Sequence, residues 1–432
     1  MKIDLMYGQE GLLLELPDHL DVTVIRKRPF ASFPEPAEAV RRALMDPVGC
    51  KPLRELAEKA RSACVLICDI TRPVPNGMVL PPLLEELVRG GIPERDIRIV
   101  IATGLHRPNL GSELREVVGS DEVMRRFVVE NHYARRDEEH TSLGTTAEGI
   151  PILMDHRFVE ADLRIVIGLV EPHFMAGYSG GRKVAVPGVA HRETILRLHA
   201  ASILEHDRAA NCIMEGNPLH EIQMEIVRKI GTMFAVNVVL DEQRRMGFVN
   251  FGDLERSHEE AVGFLGRHAE ISMPRPFSTV VTSSAGYPLD KTYYQVVKGL
   301  VGALNLLSPG GTVICAAECS EGLGSPEFVR AQELLLSMGP HRFLERLRKQ
   351  EKAEIDEWAT EMLLKVLRVG RAVLFSTGLS PRDAELTGVA STSSIPEAVL
   401  ESVETNGDHR VAVIPEGPYV IPFVRTAVEG HP

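Results

Sequence analysis

Three apolar segments of the chain each end in side chains that can bind an anion or transfer a proton. Ile67-Cys68 leads into Asp69-Ile70-Thr71-Arg72-Pro73, Ile101 into Ala102-Thr103-Gly104-Leu105-His106-Arg107-Pro108, and Leu169-Val170 into Glu171-Pro172-His173. Carboxylates, a guanidinium and two imidazoles at such ends suit a small acidic ligand and acid–base chemistry near neutrality. The third segment continues through Phe174, Gly177, Gly180, Gly181 and Arg182 to Lys183, Pro187 and Gly188. Glycines beside a lysine let backbone N–H groups approach a phosphate. The spacing is not G-x-x-x-x-G-K-[ST], because Val184 follows Lys183, and it is not G-x-G-x-x-G either. A glycine-rich turn with a surface lysine is therefore an equal reading.

Of the 15 histidines, His106 and His173 end strands, and His199 lies in the helix-like run from Glu193. No H-E-x-x-H or paired zinc spacing links them, so spacing predicts no multi-histidine metal site. Taken alone, His199 is a structural or exposed helical histidine as readily as a ligand. His19, His140, His258 and His268 sit near charged residues and are expected in solvent. Further on, Tyr294, Gln295 and Lys298 have i, i+3 and i+4 spacing and share one helix face. A hydroxyl, an amide and an ammonium there suit a carboxylate, although a solvated face has the same spacing. Trp358, the single tryptophan, is expected in the core.

The elements that must position these groups alternate between strand and helix. Strands are expected at 63–68, 97–102 and 163–170, with helices at 81–90 and from Ser112, a candidate N-cap, to Val118. Met273-Pro274-Arg275-Pro276 cannot continue a helix and marks a linker. After it the rhythm restarts, with strands at 278–282, 311–317, 371–375 and 410–414 and a helix at 293–307. The expectation is two α/β domains with mainly parallel sheets, 1–273 and 274–432, and an interdomain cleft as the ligand site.

Composition narrows the function classes. Among 432 residues, 48 Lys and Arg face 60 Asp and Glu, a net charge of -12, which argues against a nucleic-acid binder. Six cysteines are too few for a disulfide scaffold. The pairs Cys64/Cys68 and Cys315/Cys319 are spaced C-x-x-x-C within apolar runs and read as core packing. The start of the chain lacks signal-peptide character, and no apolar window is long enough to span a membrane. A cytoplasmic protein is expected.

The segments together resemble the nickel-dependent lactate racemase family of LarA type. The motifs that carry the resemblance are Asp69-Ile70-Thr71-Arg72-Pro73, Thr103-Gly104-Leu105-His106-Arg107-Pro108, the loop from His173 to Gly188, His199, and Tyr294-Gln295-Val296-Val297-Lys298-Gly299. They follow the family order along nearly the whole chain. The resemblance implies a nickel-pincer nucleotide, a pyridinium-3-thioamide-5-thiocarboxylic acid mononucleotide, tethered covalently to Lys183, with His199 as the protein ligand to nickel. It implies that Asp69, Ile70, Thr71, Arg72 and Pro187 contact this cofactor. Arg72, Tyr294, Gln295 and Lys298 would hold the carboxylate of a 2-hydroxy acid. His106 and His173 would be the two acid/base catalysts of a racemase or epimerase working by hydride transfer. Separate cofactor-biosynthesis enzymes are implied as partners, and a homo-oligomer is compatible. Arg182 beside the tether would fit a second carboxylate or hydroxyls on a larger substrate. Two other readings use the same residues: a metal-dependent hydrolase built on His106, His173 and His199, and a protein that binds the nickel nucleotide without catalysis.

Overall fold

The computed structural model describes residues 1–425. Its first six-stranded sheet runs in the order Met246–Asp253, Phe234–Leu240, Leu163–Leu169, Ala63–Cys68, Ile97–Ala102 and Val128–Asn131. Only the pairing of Phe234–Leu240 with Met246–Asp253 is antiparallel. The central strands are continuous apolar runs because both of their faces are covered. In Ala63–Cys68, Cys64 and Leu66 enter one apolar cluster while Val65 and Ile67 enter another, as the two-residue period of a strand requires.

From Ala63–Cys68 the chain builds outward through Ile97–Ala102 and Val128–Asn131, then returns to Leu163–Leu169 on the other side. The strand order reverses between Ala63–Cys68 and Leu163–Leu169. A crevice opens at the carboxyl ends where such a reversal occurs, and this one begins at Asp69 and Glu171.

The second sheet is parallel throughout, in the order Ala390–Thr392, Arg371–Phe375, Leu307–Ala316, Phe277–Ser283, Arg410–Ile414 and Asp21–Val24. Its last strand comes from the start of the chain. The hairpin of Lys2–Leu5 and Leu12–Glu15 packs against the same sheet through Ile3, Leu5 and Leu14. A single cut at 273/274 does not anticipate this, because the hairpin's apolar side chains find their partners more than 250 residues away. The linker prolines follow Glu270–Met273, which pairs in parallel with Ile421–Val424, a strand the sequence reading does not place. One apolar cluster runs without a break from Leu66 and Val166 of the first unit to Val296, Leu300 and Leu363 of the second.

Local boundaries differ where backbone chemistry competes with pattern. The helix expected at 81–90 starts a turn earlier, at Asn76, and contains Pro81 and Pro82. The Asn76 side chain donates to Val117 O, and burial of Val79, Leu80, Leu83, Leu84 and Leu87 outweighs the hydrogen bonds that two prolines forgo. Ser112 is the first helical residue and Gly111, at φ +58°, precedes it. The helix from Tyr293 ends at Gly302 and passes into a 3-10 turn at Leu304–Leu306.

Candidate active site

A cavity of about 170 Å³ lies where the two units meet. Asp69, Thr71, Arg72, His106, His173, Lys183, Pro187 and His199 line it from the first unit, and Tyr294, Gln295 and Lys298 from the second. Every sequence-predicted site residue except Ile70 is therefore at one place. Ile70 packs into the core behind the first sheet, and only its backbone N–H is used, donating to Asn109 Oδ1.

His106 and His173 face this cavity in opposite electrostatic settings. His106 Nδ1 lies 2.6 Å from Asp69 Oδ2, and its side chain is 41% exposed in the cleft. Asp69 is fixed in turn, because its Oδ1 accepts from the Thr71 hydroxyl at 2.6 Å and the Thr71 N–H at 3.2 Å. Desolvation opposes a charge on His106, but the Asp69 carboxylate outweighs it and raises the imidazole pKa. The hydrogen bond places the Nδ1 proton towards Asp69 and leaves Nε2 for a ligand.

His173 is the reverse. Its Nδ1 accepts from the N–H groups of Met175 (3.3 Å) and Ala176 (3.2 Å), so the proton of the neutral ring sits on Nε2. Burial, followed by the charges of Lys183, Arg72, Lys298 and Arg182, pushes its pKa well below the ordinary value.

The glycine-rich segment closes the cavity floor. Gly168 sits so close to the loop that a Cβ there would come within 2.8 Å of Gly180 Cα, and a Cβ on Gly181, at φ +47°, would strike the His258 ring at 2.6 Å. His258 is buried rather than solvated, and its Nε2–H donates to Ser179 O at 2.8 Å. The Gly104 N–H donates to Gly188 O at 2.9 Å and ties the His106 loop to this segment. Lys183 lies in the single helical turn Arg182–Ala185. Burial, then the positive charges of Arg72, Arg182 and Lys298, hold its amine well below the usual lysine range. A desolvated neutral amine is a nucleophile.

His199 ends the helix Arg192–Leu198. Its Nδ1–H donates to Ile195 O at 2.8 Å, which leaves the Nε2 lone pair free. Burial lowers its pKa to about 4, so the ring is neutral and suited to bind a metal. Its face lies against Trp358, with ring centroids 4.3 Å apart. Trp358 is thus a wall of the cavity, and its Nε1–H donates to the Tyr294 hydroxyl at 2.8 Å. Lys298 Nζ reaches across the cleft to within 5.8 Å of the Phe174 ring centroid. Burial, then repulsion from Arg72, lowers its pKa to about 7. Gln295 Oε1 is buried with no hydrogen-bond partner. Arg72 is steered by Glu171, at 2.6 Å.

A free imidazole nitrogen, a buried amine whose pKa is lowered, a glycine-lined floor and an orphaned amide oxygen fit a tethered metallonucleotide. Among the described residues no group of three or more His, Cys, Asp or Glu side chains is placed to hold a metal ion, so His106, His173 and His199 do not form the hydrolase centre considered from sequence. Arg182 is also reassigned. It is 1% exposed and donates to Ala176 O at 2.6 Å behind the loop, not into the cavity. Cys68, read as packing, lines the cavity, as does Asp356. No motif marks Asp356 or Trp358, and the rarity of tryptophan was the one signal available for the latter. No helix among the described residues is long and apolar enough to cross a membrane.

Comparison with known proteins identifies the family. Residues 7–211 match the lactate racemase N-terminal domain and residues 274–422 the lactate racemase C-terminal domain. The lactate racemase of Thermoanaerobacterium thermosaccharolyticum is 32% identical over 426 residues, 97% of this chain and 98% of that protein. The lactate racemase of Lactiplantibacillus plantarum is 29% identical over 424 residues, 97% of this chain and 99% of that protein. The solved lactate racemase apoprotein of T. thermosaccharolyticum superposes with a TM-score of 0.90 at 30% identity, covering 98% of this chain and all of that one. A Thermotoga maritima protein shares the fold, with a TM-score of 0.68 at 18% identity over 92% of this chain. With relatives matched from end to end, and both domains in the same order, the chain belongs to the lactate racemase family.

Proposed function

We propose that this protein interconverts the C2 stereoisomers of a 2-hydroxy acid, using a nickel-pincer nucleotide carried on Lys183. The observation that carries the reading is the pair of unequal histidines, His106 and His173, at one cavity that also holds a buried lysine whose pKa is pushed well below the usual range. A racemase must take a proton from a hydroxyl presented on one side and return one from the other, so it needs one base and one acid at the start of each turnover. When bound, the nucleotide supplies a reversible acceptor for the C2 hydrogen. His199 Nε2 would hold its nickel, while Asp69, Thr71, Arg72 and Pro187 border the space it would fill.

Lys298, Arg72, Tyr294 and Gln295 anchor the substrate carboxylate, which lets the oxidised carbon turn without leaving. Of these, Tyr294, Gln295 and Lys298 lie in the second unit, with the Gln295 amide NH₂ as its donor to a carboxylate, so substrate would bridge the cleft. His106 Nε2 would exchange a proton with the hydroxyl of one stereoisomer, and His173 Nε2 lies at the cavity to do so on the opposite face. Burial makes each interaction stronger than it would be in water.

The test is coexpression with enzymes that make the cofactor, followed by intact-mass and nickel analysis and a chiral assay on 2-hydroxy acids. A mass increase mapping to Lys183, about one nickel per chain, and racemisation lost in both His106→Ala and His173→Ala are expected. An unmodified lysine in cells able to make the cofactor, or full racemisation in either histidine variant, refutes the reading.

A further inference from the structure

Behind the loop that carries Lys183 lies a positive charge that no protein group answers. Arg182 is 1% exposed. Its Nη2 donates to Ala176 O at 2.6 Å and lies 3.8 Å from the Met214 sulfur. Its Nε and Nη1 find no acceptor. Among the described residues no carboxylate pairs with it, and burial alone lowers its pKa, to about 9.

The helix Pro218–Ile230 packs against the turn Arg182–Ala185 and brings further unpaired groups. His220 and Gln223 are three residues apart and share one face of that helix. Gln223 is fully buried, yet neither its Nε2 nor its Oε1 has a partner, and His220 Nδ1 is buried and unpaired as well. Both His220 and the loop's neighbour His258 lie within range of the guanidinium. Burial, then the charge of Arg182, pushes the pKa of each ring down to about 3. His258 spends its Nε2–H on Ser179 O.

Buried polar groups in native proteins are nearly all hydrogen-bonded, and buried charges are paired. A water molecule would accept from the guanidinium but leave its charge uncompensated. An anion accepts the same bonds and cancels the charge. One guanidinium balances one negative charge, whereas a phosphate dianion would bring a second, unpaired one into the interior.

We infer that a monovalent inorganic anion of the chloride class binds beneath the glycine-rich loop, held by Arg182 Nε and Nη1, the Gln223 amide NH₂ and His220 Nδ1–H. None of these residues lines the substrate cavity, so the site is separate from the one already described and does not depend on the racemase reading. Its charge nevertheless reaches that cavity. Arg182 is among the cations that lower the pKa of Lys183 and His173, and an anion beside it offsets that effect.

The probe is bromide, compared with chloride and with gluconate at equal ionic strength, on the intact chain. In urea titrations a halide at ten times its Kd should lower the unfolding constant about tenfold relative to gluconate. Arg182→Met and Gln223→Leu should each lose most of this dependence. In gluconate Arg182→Met should be more stable than its parent, and in halide that gain should shrink. Anomalous scattering from a bromide-soaked crystal should show a peak within hydrogen-bond distance of Arg182 Nε or Nη1. Identical unfolding in gluconate and halide would overturn the proposal. So would halide dependence retained in both variants, which places the ion elsewhere. A peak at Arg182 without any dependence in solution means binding at crystal concentration only and overturns it too, as does density for water alone at that position in bromide.

Discussion

Asp69→Asn isolates the reasoning about His106, because the replacement keeps size and removes one charge. Asp69 Oδ1 accepts two hydrogen bonds from Thr71, while Oδ2 faces His106 Nδ1. In the variant the amide oxygen stays with Thr71, so its NH₂ faces the imidazole. His106 Nδ1 must then accept, the ring proton moves to Nε2, and the atom meant to take the substrate proton is blocked. Turning the amide over restores the right tautomer but gives up both Thr71 bonds. At about 0.5–1.5 kcal/mol each, that totals about 1–3 kcal/mol, or roughly 5- to 150-fold in the active population. Loss of the carboxylate charge adds to this, up to the roughly 10⁴-fold that positioned proton transfer can supply. The carboxylate raises the His106 pKa in the parent. Its removal therefore shifts the His106 limb of the rate profile to lower pH, and in the direction where His106 donates, activity disappears at a lower pH than before. Initial rates in both directions across the neutral range, on protein matched for nickel content, measure this. A variant as fast as its parent, with an unmoved profile, would refute the tautomer argument.

Arg182→Met tests the buried guanidinium, whose Nε and Nη1 have no partner. Removing an unpaired buried charge should raise the unfolding free energy of the apoprotein by roughly 1–3 kcal/mol after the lost bond to Ala176 O is subtracted, and destabilisation in a urea titration would contradict it. Trp358→Phe keeps a ring over His199 but deletes the donor to Tyr294. It should lower kcat/KM by about 0.5–1.5 kcal/mol, roughly two- to tenfold, with Trp358→Ala clearly worse; equal losses would show that the ring itself contributes nothing.

Much of the site was legible because parallel sheets concentrate chemistry at strand ends. Asp69, His106 and His173 each follow a continuous apolar run, and the reversal of strand order brings those ends to one crevice. The face formed by Tyr294 and Lys298 followed from helical period, but its burial did not, since spacing alone does not say what a face packs against. The side chain of Ile70 does not line the cavity; a contiguous motif says nothing of which residue points inward. Trp358 and Asp356 were illegible for a different reason. They reach the cavity through packing of the second unit on the first, and no local pattern encodes a contact across more than 150 residues of chain, such as Trp358 against His199. The strand Asp21–Val24 escaped for the same reason, since its partner is Arg410–Ile414.

The two histidines also account for how a two-base site can be ready before substrate arrives. If His106 and His173 had equal surroundings, both would be neutral or both charged over most of the pH range, and neither state could racemise. Their surroundings are unequal. Asp69 favours charge on His106, while burial and neighbouring cations keep His173 neutral with its proton on Nε2. The two rings therefore differ in proton affinity, His106 being the stronger base and His173 the weaker. The substrate carboxylate moderates the difference by bringing negative charge beside Lys298, whose pKa of about 7 already allows it to lose or hold a proton near neutrality. The same asymmetry implies unequal pH profiles for the two directions of reaction. Because an isomerisation at equilibrium must balance, those profiles can differ only through the binding of each stereoisomer and the rate of each proton transfer.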